Sequence, residues 1–209
     1  MFVMANCIRA QLAITNYKYQ LLTSLYMIIT ISGKAGSGKS TIAKLISEKL
    51  SLKHHSIGDL MRAMALEKGI SLLELNKIAE KDKSIDLELD NKLKQLGKTK
   101  DNFVIDGRLT AFFIPNADVK VFLEADDEVR AERILNEKRK NEKTESLKET
   151  IASIKNREES EKKRYKKYYD VDYTDKKLYS LFIDTTKMNP AQVVDNVLKF
   201  VNKNSQKSL

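Results

Sequence analysis

An α/β fold built on a parallel sheet is what this sequence predicts, and three observations carry the prediction. Short apolar runs bounded by turn residues alternate with segments of helical periodicity, the pattern of strands joined by crossover helices. A glycine-rich loop, Gly33-Lys34-Ala35-Gly36-Ser37-Gly38-Lys39-Ser40, follows directly on the first such run and precedes the first helix. Its spacing, G-x-x-x-x-G-K-S/T, is that of a phosphate cradle between a strand and a helix N-terminus. The expected architecture is a doubly wound parallel sheet of five strands, covered by helices on both faces.

Each element has its own justification. Ile28, Ile29 and Ile31 make the first strand, β-branched and apolar on both faces, as buried parallel strands are. Ile42, Ala43, Leu45, Ile46 and Leu50 then recur at helical spacing. Residues 52–56 read as the second strand. A helix opens at Gly58-Asp59, passes through Met61 and Met64, and stops at Gly69. Ser71-Leu72-Leu73-Glu74 is a capping box that starts another. A third spans about 85–96 and ends at Gly97. This block is helical throughout and polar outside, so it reads as an insertion rather than as core. Strands three and four are expected at 102–106 and 119–123, and a helix over 127–134. The dense charge of 136–143 suggests an exposed turn. A long helix follows from about 145 to 169, with Leu147, Ile151, Ile154 and Tyr165 on one stripe. Residues 179–183 form the fifth strand. Asn189 caps a last helix with Pro190 in its first position, and Val193, Val194, Val197, Leu198 and Val201 give it an apolar face. There is no internal repeat and no low-complexity tract.

Composition narrows the function classes. The chain has 209 residues, 42% of them hydrophobic and 32% charged, with a formal net charge of +9. Glu and Lys alternate through most of it, so the basic surplus reads as a solvated, salt-bridged surface that also suits polyanionic small substrates. Cys7 is the only cysteine, which excludes an intrachain disulfide framework or a cysteine zinc cluster and fits a reducing cytoplasm. No apolar run approaches a membrane span. Residues 1–26 stand apart: Arg9 and Lys18 are their only charges, and the first acidic residue is Glu48. A transit peptide would lack acids in the same way but would carry more arginine. The preferred reading is an extension ahead of Met27, dispensable to activity.

The glycine loop supplies the first chemistry. Its backbone folds into a nest of inward N–H groups, and the helix behind adds partial positive charge. Lys39 would reach the β- and γ-phosphates of a nucleoside triphosphate, and the Ser40 hydroxyl would ligate Mg²⁺. An acceptor that is itself a phosphate needs no general base, because its oxygen is already ionised. It needs positive charge around two polyanions and exclusion of water. Arginines at strand ends are therefore the candidates. Asp106-Gly107-Arg108 closes the third strand, where carboxyl ends line the ligand crevice. Asp106 would hold Mg²⁺ through water, and Arg108 would grip a phosphate bidentately. Ser56-Ile57-Gly58-Asp59-Leu60-Met61-Arg62 puts Arg62 one turn after Gly58, toward the same crevice. Arg157, Glu161 and Arg164 share one face of the long helix, a spacing that also makes an ordinary surface ladder. Tyr165, Tyr168 and Tyr169 lie among lysines; packing is the commoner use of such tyrosines, base stacking the rarer. His54 and His55 have no metal or nucleophile partner nearby in sequence, and no catalytic role is expected of them.

Taken together, the stretches ITISGKAGSGKST, SIGDLMRAMA, IDLELDNKLKQL, VIDGRL, EVRAERI, REESEKKRYKKYYDVD and LFIDTTK resemble the nucleoside monophosphate kinases of the P-loop superfamily. Within them the likeness is to the archaeal-type cytidylate kinases, over residues 27 to about 201. It implies one P-loop domain over 27–209 with a monophosphate-binding insertion at 59–98 and a lid at 136–168. It further implies nucleotide binding by Gly33, Lys34, Ala35, Gly36, Ser37, Gly38, Lys39, Ser40 and Thr41. Arg133 would lie against adenine and ribose, while Arg130 would be structural. Arg62 and Arg108 would hold the acceptor phosphate, with Asp59 also among the substrate-binding residues, and Arg157 and Arg164 would neutralise the phosphate in transfer. Glu161 between them would contact the acceptor ribose or orient its neighbours. Bacterial cytidylate kinases follow the DGR arginine with an aspartate that reads cytosine, whereas this chain has Leu109. Asp86 and Asp90, one helical turn apart, are the available acceptors for the exocyclic amine, with Asp90 preferred. The resemblance implies an ATP- and Mg²⁺-dependent transfer of the γ-phosphoryl group directly to CMP or dCMP. The expected setting is a cytoplasmic monomer acting on small molecules, with no nucleic-acid or membrane partner. A kinase for AMP or UMP, or a nucleotide-binding module acting on RNA through its basic lid, are the alternatives.

Overall fold

The computed structural model describes residues 27–99, 102–137 and 146–205. The expectation for residues 1–26, and most of the charged turn expected at 136–143, lie outside them. Five strands form one parallel sheet: β1 (Ile28–Gly33), β2 (Lys53–Ser56), β3 (Phe103–Asp106), β4 (Val119–Glu124) and β5 (Leu181–Asp184), in the spatial order β2-β3-β1-β4-β5. β1 is buried along its whole length, as its continuous β-branched run requires. The chain leaves it in opposite directions on its two sides, so a crevice opens above its carboxyl end.

Between the strands lie helices α1 (Lys39–Leu50), α2 (Ile57–Glu67), α3 (Leu72–Ala79), α4 (Ser84–Lys98), α5 (Thr110–Phe113), α6 (Asp127–Asn136), α7 (Leu147–Tyr169) and α8 (Pro190–Ser205). Ser71 and Glu74 close the predicted capping box at the start of α3. On one face of the sheet Ile42 and Ile46 of α1 and Val194 and Val197 of α8 pack on Ile29, Ile31, Val121 and Leu123. On the other, Met61, Met64, Leu75, Leu89 and Leu93 share a cluster with Ile28, Phe103 and Ile105. The block 57–98, expected as an insertion, thus shares an apolar cluster with β1 and β3 on this face. Its polar outer faces concealed the buried apolar residues that each helix contributes to that cluster.

Three smaller differences have local causes. α5 and a 3₁₀ turn at Lys176–Leu178 are too short to show periodicity. α4 passes through Gly97 to Lys98, and at Gly97 it lies close against Ile114. Leu147 is 37% exposed, so the buried stripe of α7 runs instead through Thr150, Ile154, Glu161, Arg164 and Tyr165. Two charged residues on an inward helix face are unusual unless they are paired.

Candidate active site

The loop after β1 is shaped by what surrounds it. A Cβ on Gly36 would sit 2.5 Å from the carbonyl oxygen of Arg130, so the loop rests directly on the backbone of α6. Gly38 caps α1 at a φ of +88° and has open space where a side chain would be. Only glycine holds that left-handed conformation without strain, and the helix N-terminus behind it faces the cleft. Lys39 arches back, its Nζ donating to the carbonyl of Lys34 at 2.7 Å. Burial, reinforced by the charge of Arg108, pushes its ammonium pKa well below the usual range. An anion in the cradle would reverse that pressure.

Asp106 ends β3 beside the loop and gathers three partners. Ser40 Oγ donates to its Oδ2 at 2.8 Å, Ser56 Oγ to the same oxygen at 3.2 Å, and His54 Nε2 lies 2.9 Å from Oδ1. A hydroxyl and a carboxylate thus stand together at the cradle's edge, a hard-oxygen pair of the kind Mg²⁺ takes. No catalytic role is expected of His54, and its partner Asp106 lies 52 residues away in sequence. The link is parallel pairing of β2 with β3, which aligns Ser56 with Asp106 and is invisible in a linear reading.

Opposite the loop stands a wall of guanidinium groups. Arg108 donates from Nε to Glu161 Oε2 at 2.6 Å and from Nη1 to the carbonyl of Gly33 at 3.1 Å. Its Nη2 is buried and lacks a hydrogen-bond partner among the described residues, an orphan donor of the sort an anion satisfies. Arg157 donates to the other oxygen of Glu161 at 3.0 Å. Arg62 comes from α2, paired with the exposed Asp59. Arg62, Arg108, Arg157 and Glu161 line one cleft with residues 35–41 of the loop, Asp106, Asp86, Asp90 and Arg133, enclosing about 430 Å³. Gly33, Lys34, Asp59 and Arg164 are not on that wall. Arg164 sits behind it, buried, with its Nε 3.0 Å from Asp86 and its Nη1 on the carbonyl of Asn76 at 3.3 Å. Arg133 donates to the hydroxyl and carbonyl of Thr185, at 2.9 and 2.7 Å. Arg130, 1% exposed, binds Asp127, Glu158 and the carbonyl of Ala35, and so ties the loop to α6 and α7.

Glu161 is the hinge of this wall. Burial opposes its ionisation, but the guanidinium groups of Arg108 and Arg157 outweigh burial and bring its pKa down to about 2. A carboxylate depressed from its ordinary 4.5 stabilises the fold fully above about pH 4.5, and that contribution is lost as pH falls toward 2. It amounts to about 3 kcal/mol at most. Glu161→Gln is therefore expected to melt at a lower temperature at pH 7 and to lose less further stability between pH 5 and pH 3 than the parent. Parallel acid profiles would contradict this assignment.

A P-loop phosphotransferase is the class that this sheet order, cradle and arginine-lined cleft define. Among solved structures, shikimate kinase from Bacteroides thetaiotaomicron superposes with a TM-score of 0.59 at 14% identity, over 84% of this chain and 98% of that one. Shikimate kinase from Acinetobacter baumannii does so at 0.58 and 15%, over 90% and 98%. Likeness at that identity speaks for the fold alone. The chain belongs to the cytidylate kinase-like family, whose model matches residues 28–187. The cytidylate kinase of Haloarcula marismortui is 41% identical to it over 176 residues, 84% of this chain and 89% of that protein. The cytidylate kinase of Archaeoglobus fulgidus is 41% identical over 175 residues, 84% and 94% of the two. The likeness drawn from the motifs is borne out.

Proposed function

We propose that this chain transfers the γ-phosphoryl group of ATP directly to CMP or dCMP, giving ADP and the diphosphate. The observation that carries the reading is convergence: arginines from α2, from the turn after β3 and from α7 line the same cleft as the glycine cradle. Two polyanions brought together there repel each other strongly, and fixed positive charge is what offsets that repulsion. The loop amides, Lys39 and Thr41 hold the triphosphate, with Arg133 toward the nucleoside. Ser40 and Asp106 stand where Mg²⁺ would be held, and the ion when bound would neutralise charge on the β- and γ-phosphates. Arg62 and Arg108 hold the acceptor phosphate, and Arg157 shares the charge in transfer. Glu161 fixes the spacing of the two guanidinium groups that flank it. Arg164 acts through Asp86 and Asn76 rather than on phosphate. Helices α2 to α4 serve as the monophosphate-binding part, and α7 as part of the lid that excludes water.

The natural setting is a cytoplasmic enzyme of pyrimidine nucleotide metabolism, working as a monomer on small molecules. Among the described residues no helix is long and apolar enough to cross a membrane. Coupled ADP release across CMP, dCMP, UMP, AMP and GMP tests the reading. CMP or dCMP should give the highest kcat/KM; preference for AMP or GMP would overturn it, as would tight RNA binding with no turnover of any monophosphate.

A further inference from the structure

Resting on that kinase reading, we propose that Asp86 and Asp90 form a two-carboxylate clamp that takes both N–H groups of one exocyclic amine, and that this clamp selects cytosine over uracil. The two lie four residues apart on α4, so they share a face at about 5–6 Å between Cβ atoms. Both line the cleft, yet they are only 4% and 3% exposed. Carboxylates are almost never so buried unless fully partnered, and these are partnered on one side only. Asp86 Oδ2 stands 3.0 Å from Arg164 Nε, and Asp90 Oδ2 accepts from the hydroxyl of Tyr169. The contact of Asp86 Oδ2 with Arg164 is an ion pair without a hydrogen bond, so that buried oxygen has no hydrogen-bond partner among the described residues.

Two acceptors with no donor between them complement an amino group, which offers two N–H bonds and no lone pair in plane. A keto oxygen at the same place meets only like charge. Burial pushes Asp86 up to about 6 and Asp90 in the same direction, and the charge of Asp90 adds to the effect on Asp86. A bound amine relieves that tension, so the strain of the empty pair becomes selectivity when the base docks. Ile57, Met61, Leu89 and Leu93 line the cleft beside the pair and supply the apolar walls a flat ring needs. The pair also orients the nucleotide. Acid on α4 repels the phosphate toward Arg62 and Arg108, and draws the amine inward. Leu109, lacking any polar atom in its side chain, contributes only apolar surface.

The test compares kcat/KM for CMP and UMP in the parent, Asp86→Asn and Asp90→Asn, with KM for ATP as the control. An asparagine can turn its amide toward a keto oxygen, so each variant should lose about tenfold or more with CMP while improving with UMP. KM for ATP should stay within about twofold, given that neither residue is assigned to the triphosphate. A second probe needs no variant: the monophosphate of pyrimidin-2-one riboside, which lacks the amine, should be about a hundredfold poorer than CMP for the parent enzyme. An unchanged CMP-to-UMP ratio in either variant overturns the clamp, including the case where only one aspartate matters. Equal use of CMP and the amine-free nucleotide overturns it as well, even if a variant fails to fold. Parent enzyme that turns over no monophosphate defeats the kinase reading itself, a result distinguishable from both.

Discussion

Lys39→Ala should lower kcat by about 10²–10³ or more while leaving the melting temperature within a few degrees of the parent. The expectation follows from where the side chain is and what it touches. Lys39 opens α1, reaches back over the loop, and its Nζ meets the carbonyl of Lys34. Burial and the neighbouring Arg108 disfavour its charge in the free protein. Truncation therefore removes little stability and relieves some repulsion. What it does remove is a fixed charge at the place where negative charge moves between two phosphates. In water such a charge would be screened, but in a closed cleft it is not. Stopped-flow or coupled turnover, read beside a thermal melt, separates the two effects. Near-full activity in a folded variant would contradict the role given to the loop.

Arg108→Ala should cut kcat/KM for the monophosphate by about 10²–10³ and also lower stability. Two consequences follow because the residue has two kinds of partner. Its Nη2 is an unpartnered buried donor, whereas its Nε is bound to the buried Glu161. Removing one member of a buried ion pair typically costs about 3–5 kcal/mol, since the other charge is left in low dielectric. Arg157 still pairs with Glu161 and will moderate that loss. The double variant Arg108→Ala/Glu161→Gln discriminates between the effects. It should regain part of the stability, because no bare carboxylate is left behind, and none of the activity. Recovery of turnover together with stability would mean that Arg108 acts only by packing.

How much of this was legible in the sequence depends on how local each feature is. The loop from Gly33 to Ser40 is a continuous motif whose chemistry is backbone geometry, so residue type and spacing suffice. The apolar face of α8 and the capping box of α3 are equally local, and both formed as expected. The partnership of His54 with Asp106 was not legible, since it depends on which strands become neighbours. Helical periodicity placed Arg157, Glu161 and Arg164 on one face without saying what that face meets. Only the packing of α7 against α3 and α6 turns a plausible surface ladder inward, with Arg164 against Asn76 and Glu161 beneath Arg108. The same limit hid the apolar undersides of α2 to α4, which cluster with one another and with residues of β1 and β3.

The central claim is that one cleft holds both nucleotides at once, with arginines gathered around the phosphates between them. Calorimetric titration with adenosine and cytidine joined 5′-to-5′ by five phosphates tests it most directly. The account predicts one molecule bound per chain, at least a hundredfold more tightly than ATP alone, with the advantage lost in Arg108→Ala. Binding no tighter than that of ATP, or an advantage that survives loss of Arg108, would contradict it.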